Sequence, residues 1–410
     1  MHVDDAARVF TDPQAYADEA RFHAACAVLR RDAPVVRVEV DGYSPFFAVT
    51  KHEDVLEVSR HPERWLSAPR PALGPKIRDD KRGAGMPIRT LVQMDAPDHL
   101  VYRHISAAWF KPRTIARLED RSRELSKRFV DRMADLGGEC DFYTDVAMHY
   151  PLYMILSLLG LPEEDFPRML QLTQELFGNA DAELARETTS GDALLETLQD
   201  FFAYFQGIIE DRRARPRDDL ATAIATATID GEPIGLLEAI GYYVIIATAG
   251  HDTTSAAIAG GLHALLDHPE ELRRLQDDPG LIPTGVEEMI RWVSPVKQFM
   301  RTATEDSVLR GTRVPAGEAV LLSYPSANRD EDVFDHADRF DVGRDPNRHV
   351  AFGFGAHYCL GTHLARLETR MLYEELVPRI ESMELAGEPQ YMATLFVGGP
   401  KHVPIRYRLR

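Results

Sequence analysis

Cys359 stands in the run Phe352-Gly-Phe-Gly-Ala-His-Tyr-Cys359-Leu-Gly361, just before a stretch of helical spacing, Thr362 to Leu376. At a helix N-terminus, free N–H groups and the helix dipole favour a thiolate over a thiol, and the thiolate is the metal-binding form. Glycines at 353, 355 and 361 let the backbone turn tightly and come close to a flat ligand. Backbone N–H groups there can donate to the sulfur and tune a metal. A lone cysteine is also, and more commonly, a small buried apolar side chain. Zinc is disfavoured, because no CxxC and no nearby HxxxH supplies partners.

Three other groupings carry polar chemistry. Ala249-Gly250-His251-Asp252-Thr253-Thr254 lies within the apolar segment Ile234 to His268. An acid and two hydroxyls inside a buried helix are costly without a purpose, although threonine capping or back-bonding is the ordinary alternative. Glu288-Met-Ile-Arg291 places acid and base on one helix face, the spacing of a weak surface ion pair. His99 and Arg103 share a face if a helix starts at Asp95 or Pro97, with a solvated face as the plain reading.

The elements that must position these residues are mostly helical. Apolar residues recur at helical spacing over 113–136, 163–177 and 192–214, and Ile234 to His268 is apolar nearly all round, as a central buried helix would be. Strand-like runs are short: Val35 to Val40, Phe46 to Val49, Val308 to Leu309, Ala319 to Leu322 and Val403 to Tyr407. The predicted fold class is mainly α with small β-sheets. No linker separates two composition regimes, so residues 1–410 read as one folded unit. The Pro- and Gly-rich stretch over 67–90 reads as a mobile lid over substrate, with disorder as the alternative.

Lys and Arg total 47 against 65 Asp and Glu, a formal charge of -18, which disfavours nucleic acid and anionic membrane as partners. Three cysteines make no disulfide framework, and the N-terminus lacks the pattern of a signal peptide. The apolar stretch from Met148 to Leu161 is interrupted by His149 and Pro151 and is short for a membrane span. The expected location is cytoplasmic.

Phe352, Gly355, Cys359 and Gly361 match FxxGxxxCxG, and on that motif the chain resembles the cytochrome P450 family of haem-thiolate monooxygenases. The resemblance runs from about His99 to the C-terminus and implies a helical fold enclosing haem b, with Cys359 as the iron ligand. No CxxCH is present for covalent haem attachment. The stretch around Asp252 is similar to the family's (A/G)GxDT motif. That likeness implies that Thr253 hydrogen-bonds dioxygen, Asp252 feeds protons and Gly250 leaves room for dioxygen, while His251 has no assigned role. Glu288 and Arg291 resemble the ExxR pair, with Arg339 as its third, structural member. His99, Arg103, Arg301 and His357 match residues that hold the haem propionates, and Phe352 and Gly361 border the haem.

The resemblance further implies electrons from a separate ferredoxin and ferredoxin reductase, since no flavin or iron–sulfur pattern occurs in the chain. An acidic ferredoxin needs a basic patch on the cysteine side, for which Arg103, Lys111 and Arg113 are candidates. Ile245, Thr248, Ala249, Phe299, Leu395, Phe396 and Val397 should contact a small apolar substrate. SPVKQFMRTA and LSYPSANRDE look most like the terpene-hydroxylating bacterial branch, so a terpenoid or aromatic hydrocarbon is expected and a sterol-type lipid is the alternative. A haem-thiolate peroxygenase is a rival chemistry, against which the Asp252–Thr253 pair argues.

Overall fold

The computed structural model describes residues 1–77, 79, 89–187 and 193–410. In chain order, α1 (Glu19–Asp32) precedes β1 (Val35–Val38) and β2 (Phe46–Val49). α2 (His52–Arg60) and β3 (Trp65–Leu66) follow, then α3 (Asp98–Ala107), α4 (Glu119–Asp135) and β4 (Glu139–Asp141). Next come α5 (Tyr150–Leu159), α6 (Phe166–Phe177), α7 (Ala193–Ala214), α8 (Leu236–Ala249) and α9 (Asp252–Asp267). α10 (Ile282–Val293), β5 (Gln298–Ala303), β6 (Ala319–Ser323), α11 (Thr362–Leu376), β7 (Ile380–Leu385), β8 (Pro400–His402) and β9 (Pro404–Leu409) complete the set.

Local chemistry explains several boundaries. Prolines at 151, 167 and 283 open α5, α6 and α10, where a missing N–H costs nothing. Gly160 ends α5 in the left-handed region, where glycine has no Cβ penalty. The predicted helix over 234–268 forms, but as two pieces, α8 and α9, broken at Gly250 and His251. β5 was not expected. Its residues are buried on both faces, so no alternation marks it as a strand.

The largest sheet has the order β1-β2-β6-β5-β3, with only β2 and β6 parallel. A second sheet has the order β7-β9-β4. The main core gathers around α5, α8 and α9, while smaller apolar clusters cover the two faces of the large sheet. Gly260 and Gly261 bring α9 against α10. A Cβ on either would meet Val293 at 2.6 Å or Met289 at 2.8 Å.

The first part of the expected lid is anchored. Ser67 and Ala68 donate their N–H groups to Asp95, and Pro71 accepts from the N–H of Met300 on β5. Position 78 and positions 80–88 of that stretch lie outside the described residues. Among the described residues, no helix is long and apolar enough to cross a membrane.

Candidate active site

α8, α9, α10, β5 and the cysteine loop enclose about 1500 Å³ of empty space, its mouth included. Cys359 lies in one wall and Thr253 in the lining contributed by α9. Ile245, Ala249, Val296 and Phe299 give the space an apolar character.

The cysteine loop is folded by its own backbone. The Cys359 N–H donates to the Phe352 carbonyl at 2.9 Å, and the Tyr358 N–H to that of Gly355 at 3.0 Å. Gly355 has φ +73, and a Cβ there would lie 2.2 Å from the Ser59 carbonyl oxygen of α2. Gly361 caps α11, and a Cβ on it would sit 3.9 Å from the Cys359 sulfur. Arg366 lies over the Phe352 ring, 4.9 Å from its centre, and pairs with Glu287.

Burial raises the pKa of the Cys359 thiol, and the Gly361 N–H, the Thr362 hydroxyl, Arg103 and Arg366 pull it back without reversing it. A bound cation would favour the thiolate. Among the described residues, no three His, Cys, Asp or Glu side chains are grouped to hold a metal. A metal at Cys359 must bring its other ligands with it, as a porphyrin does.

The cavity rim agrees. The His99 and His357 rings lie 4.0 Å apart, and Ser67 Oγ meets His357 Nε2 at 3.0 Å. Burial, Arg301, His99 and Arg103 push the His357 pKa down to about 2. Burial and Arg103 lower that of His99. Arg103 donates to the Tyr358 carbonyl and Arg301 to the Met300 carbonyl. Neither guanidinium has a carboxylate within salt-bridge distance among the described residues, and burial lowers both pKa values. Two uncompensated cations and two neutral imidazoles beside an apolar space fit the carboxylate edge of a haem.

Not every predicted residue meets the cavity. Ile245, Ala249 and Phe299 line it. Thr248 does not; it is buried, and its hydroxyl bonds the Val244 carbonyl. Leu395 packs into the cluster near the N-terminus, and Val397 bridges to Val296. Phe396 backs the lining ring of Phe299 at 5.2 Å instead of lining the space itself. Leu91, Val92 and Val296 do line it and carried no motif to mark them. Asp252 sits off the cavity, 4% exposed, whereas Thr253 reaches it and donates its hydroxyl to the Ala249 carbonyl at 3.0 Å. Gly250 lines the cavity and also lies close to α5, where a Cβ on it would meet Ile155 at 2.6 Å.

The ion triad also differs. Glu288 and Arg291 are fully buried and bond twice at 2.7 Å. Their third partner is Arg344, whose Nε lies 3.2 Å from both Glu288 oxygens. The Arg339 side chain is 60% exposed and lies 3.8 Å from Glu271, and to the Glu288–Arg291 pair it offers only its backbone carbonyl, which Arg291 and Arg344 bond. Arg103 is half-buried, with its guanidinium on the Tyr358 carbonyl. Lys111 and Arg113 are exposed.

A family model described as Cytochrome P450 matches residues 281–386. The chain is 43% identical to Cytochrome P450-terp of a Pseudomonas species, over 98% of this chain and 97% of that one. The crystal structure of CYP108D1 from Novosphingobium aromaticivorans is similar with a TM-score of 0.90 at 39% identity, covering 99% and 98% of the two chains. CYP268A2 of Mycobacterium marinum, in complex with pseudoionone, gives 0.89 at 32%, covering 96% and 97%. Such a fold and cavity are those of a haem-thiolate oxidoreductase. The chain belongs to the cytochrome P450 family and is a monooxygenase.

Proposed function

We propose that this monooxygenase hydroxylates a compact apolar substrate of terpenoid or aromatic-hydrocarbon type, with haem b held by Cys359 and electrons from a ferredoxin and its reductase. The observation that carries the substrate reading is the lining itself: Val92, Ile245, Ala249, Val296 and Phe299 surround the approach to Thr253. The kinship with P450-terp and the neighbour crystallised with pseudoionone support the terpenoid class.

A bound haem would supply the reductive activation of dioxygen. Cys359 would ligate it, with the Gly361 N–H and the Thr362 hydroxyl stabilising charge on the sulfur. Arg103, Arg301, His99 and His357 would hold the propionates, and Phe352 and Gly361 would border the ring. The Thr253 hydroxyl hydrogen is committed to the Ala249 carbonyl, so its oxygen faces the cavity as an acceptor. It must turn away from Ala249 to donate. Asp252, one residue earlier and shielded from the cavity, holds the proton supply. The apolar walls exclude water from the reacting bond.

Lys111 and Arg113 lie beside Pro112, which shares a surface recess with His363, Arg366 and Arg370 of α11 and with the carboxylates Glu119 and Glu287, so cations outnumber anions there. This local basic surface on an acidic chain suits an acidic ferredoxin.

Optical titration of the purified ferric holoprotein with monoterpenoids, alkylbenzenes, fused aromatics and a steroid tests the substrate class. A saturable shift toward high spin with the first groups is expected. A shift with the steroid alone would overturn the terpenoid reading.

A further inference from the structure

His251 stands at the break between α8 and α9 and is fully buried. Its Nε2 lies 2.6 Å from the Met148 carbonyl oxygen, which can only accept, so Nε2 carries hydrogen. Nδ1 is left facing Asp252 Oδ2 at 3.3 Å and Thr173 Oγ1 at 3.2 Å. Neither oxygen of the buried Asp252 carboxylate has a donor in hydrogen-bonding geometry. Among the described residues, His251 is its one ion-pair partner.

The backbone is pinned here as well. His251 has φ -113 and ψ -72, off the helical values, and its carbonyl accepts from the N–H groups of Thr254 and Ser255 and from the Ser255 hydroxyl. Ring and carbonyl thus fix the break from two sides, and Asp252 and Thr253 start α9 directly after it.

We infer that His251 is a positioning residue: it ties the helix break to Met148 and shares a proton at Nδ1 with Asp252, orienting that carboxylate behind Thr253. The inference rests on reading Asp252 and Thr253 as the proton-delivery pair. No bond is made or broken beyond proton transfer between Nδ1 and Oδ2. Thr173 reaches the ring from α6. On the segment leading into α5, which also carries the anionic side chain Asp145, the groups that act on this pair are His149 and Tyr143. Burial, Arg132 and His251 itself disfavour charge on His149. Burial and Asp252 hold Tyr143 protonated. Neither supplies the cation Asp252 needs. Burial opposes a charged His251, but Asp252 and the Met148 carbonyl outweigh it and set its pKa above the ordinary histidine value.

The test uses holoprotein labelled with ¹⁵N-histidine in its diamagnetic carbon monoxide form. The His251 signal is assigned by its loss in His251→Gln. In Asp252→Asn its protonation midpoint should fall by roughly one pH unit, a tenfold loss of proton affinity, with Nε2–H retained. An unchanged midpoint overturns the pairing. Asp252→Asn leaves the break intact, so the pairing is measured even where position 251 tolerates no change. The second readout is peroxide released per electron pair, with a monoterpene alcohol as substrate. His251→Gln keeps a donor for Met148 but carries no charge. It should release severalfold more peroxide, with a displaced pH profile. Coupling like wild type at every pH overturns the inference. Normal coupling in both Asp252→Asn and Thr253→Ala would overturn the proton-delivery reading beneath it, and the titration tells that failure apart from failure of the pairing.

Discussion

Two arginines five positions apart differ in what they hold. Arg344 reaches a carboxylate that has no access to water, and Asn347 and the Asp341 N–H complete the shell of Glu288. Arg344→Ala leaves that buried carboxylate paired with Arg291 alone and should cost about 1–3 kcal/mol, because charge-assisted hydrogen bonds are lost where water cannot replace them. Arg339→Ala, at an exposed side chain, should stay within about 0.5 kcal/mol. Denaturant midpoints of the two variants check the contrast. At Thr253 the expected effect is on chemistry instead. Thr253→Ala removes the only hydroxyl of the Asp252–Thr253 pair that reaches the cavity and should raise peroxide at the expense of product, measured by the ratio of product to reductant consumed.

Between elements, contact distance decides. α5 passes so close to the break in the long helix that Gly250 has no room for a methyl group beside Ile155. Gly250→Ala should therefore lose about 1–3 kcal/mol by overpacking. Adding Ile155→Ala should recover part of that loss, so that the two effects are not additive. Thermal melts of the two single variants and the double variant measure the coupling. Gly250 is legible as a helix breaker from its type, but the neighbour that requires it is not, because Ile155 lies 95 positions away in sequence.

At the scale of the molecule, segments distant in sequence are clasped by charge. His402 on β8 meets Asp141 on β4 with Nδ1 at 2.5 Å and Glu183 with Nε2 at 2.8 Å. Lys401 beside it holds Asp181, which also takes the Ala393 N–H. Two carboxylates on one imidazole require both nitrogens to donate, the cationic form. Partial burial opposes that charge, but Asp141 and Glu183 raise the His402 pKa above the ordinary value. A raised histidine stabilises fully below the unfolded value and loses that contribution as pH climbs through the folded one. The melting-temperature gap between wild type and His402→Gln should be widest in mildly acidic buffer and narrow as pH rises. A gap that does not change with pH would show that the clasp does not titrate.

The one-dimensional order was enough for the cysteine loop, the α11 helix that follows it and the acid–alcohol pair. These are local: a glycine-spaced turn, a cap and a helical period are set by residues within a few positions of one another. Cys359, His99, Arg103, Arg301 and His357 converge on one space as their motifs implied. Tertiary structure alone decided the partners of buried charge. Arg344 took the place expected of Arg339, and His251, a residue without an assigned role, proved to be the neighbour of Asp252. It also decided which distant cations, Arg103 and Arg366, act on the Cys359 thiol. The physical reason is common to all three. Desolvation and Coulomb energy depend on what surrounds a group in space, and that surrounding is assembled from segments as far apart as Arg103 and the cysteine loop.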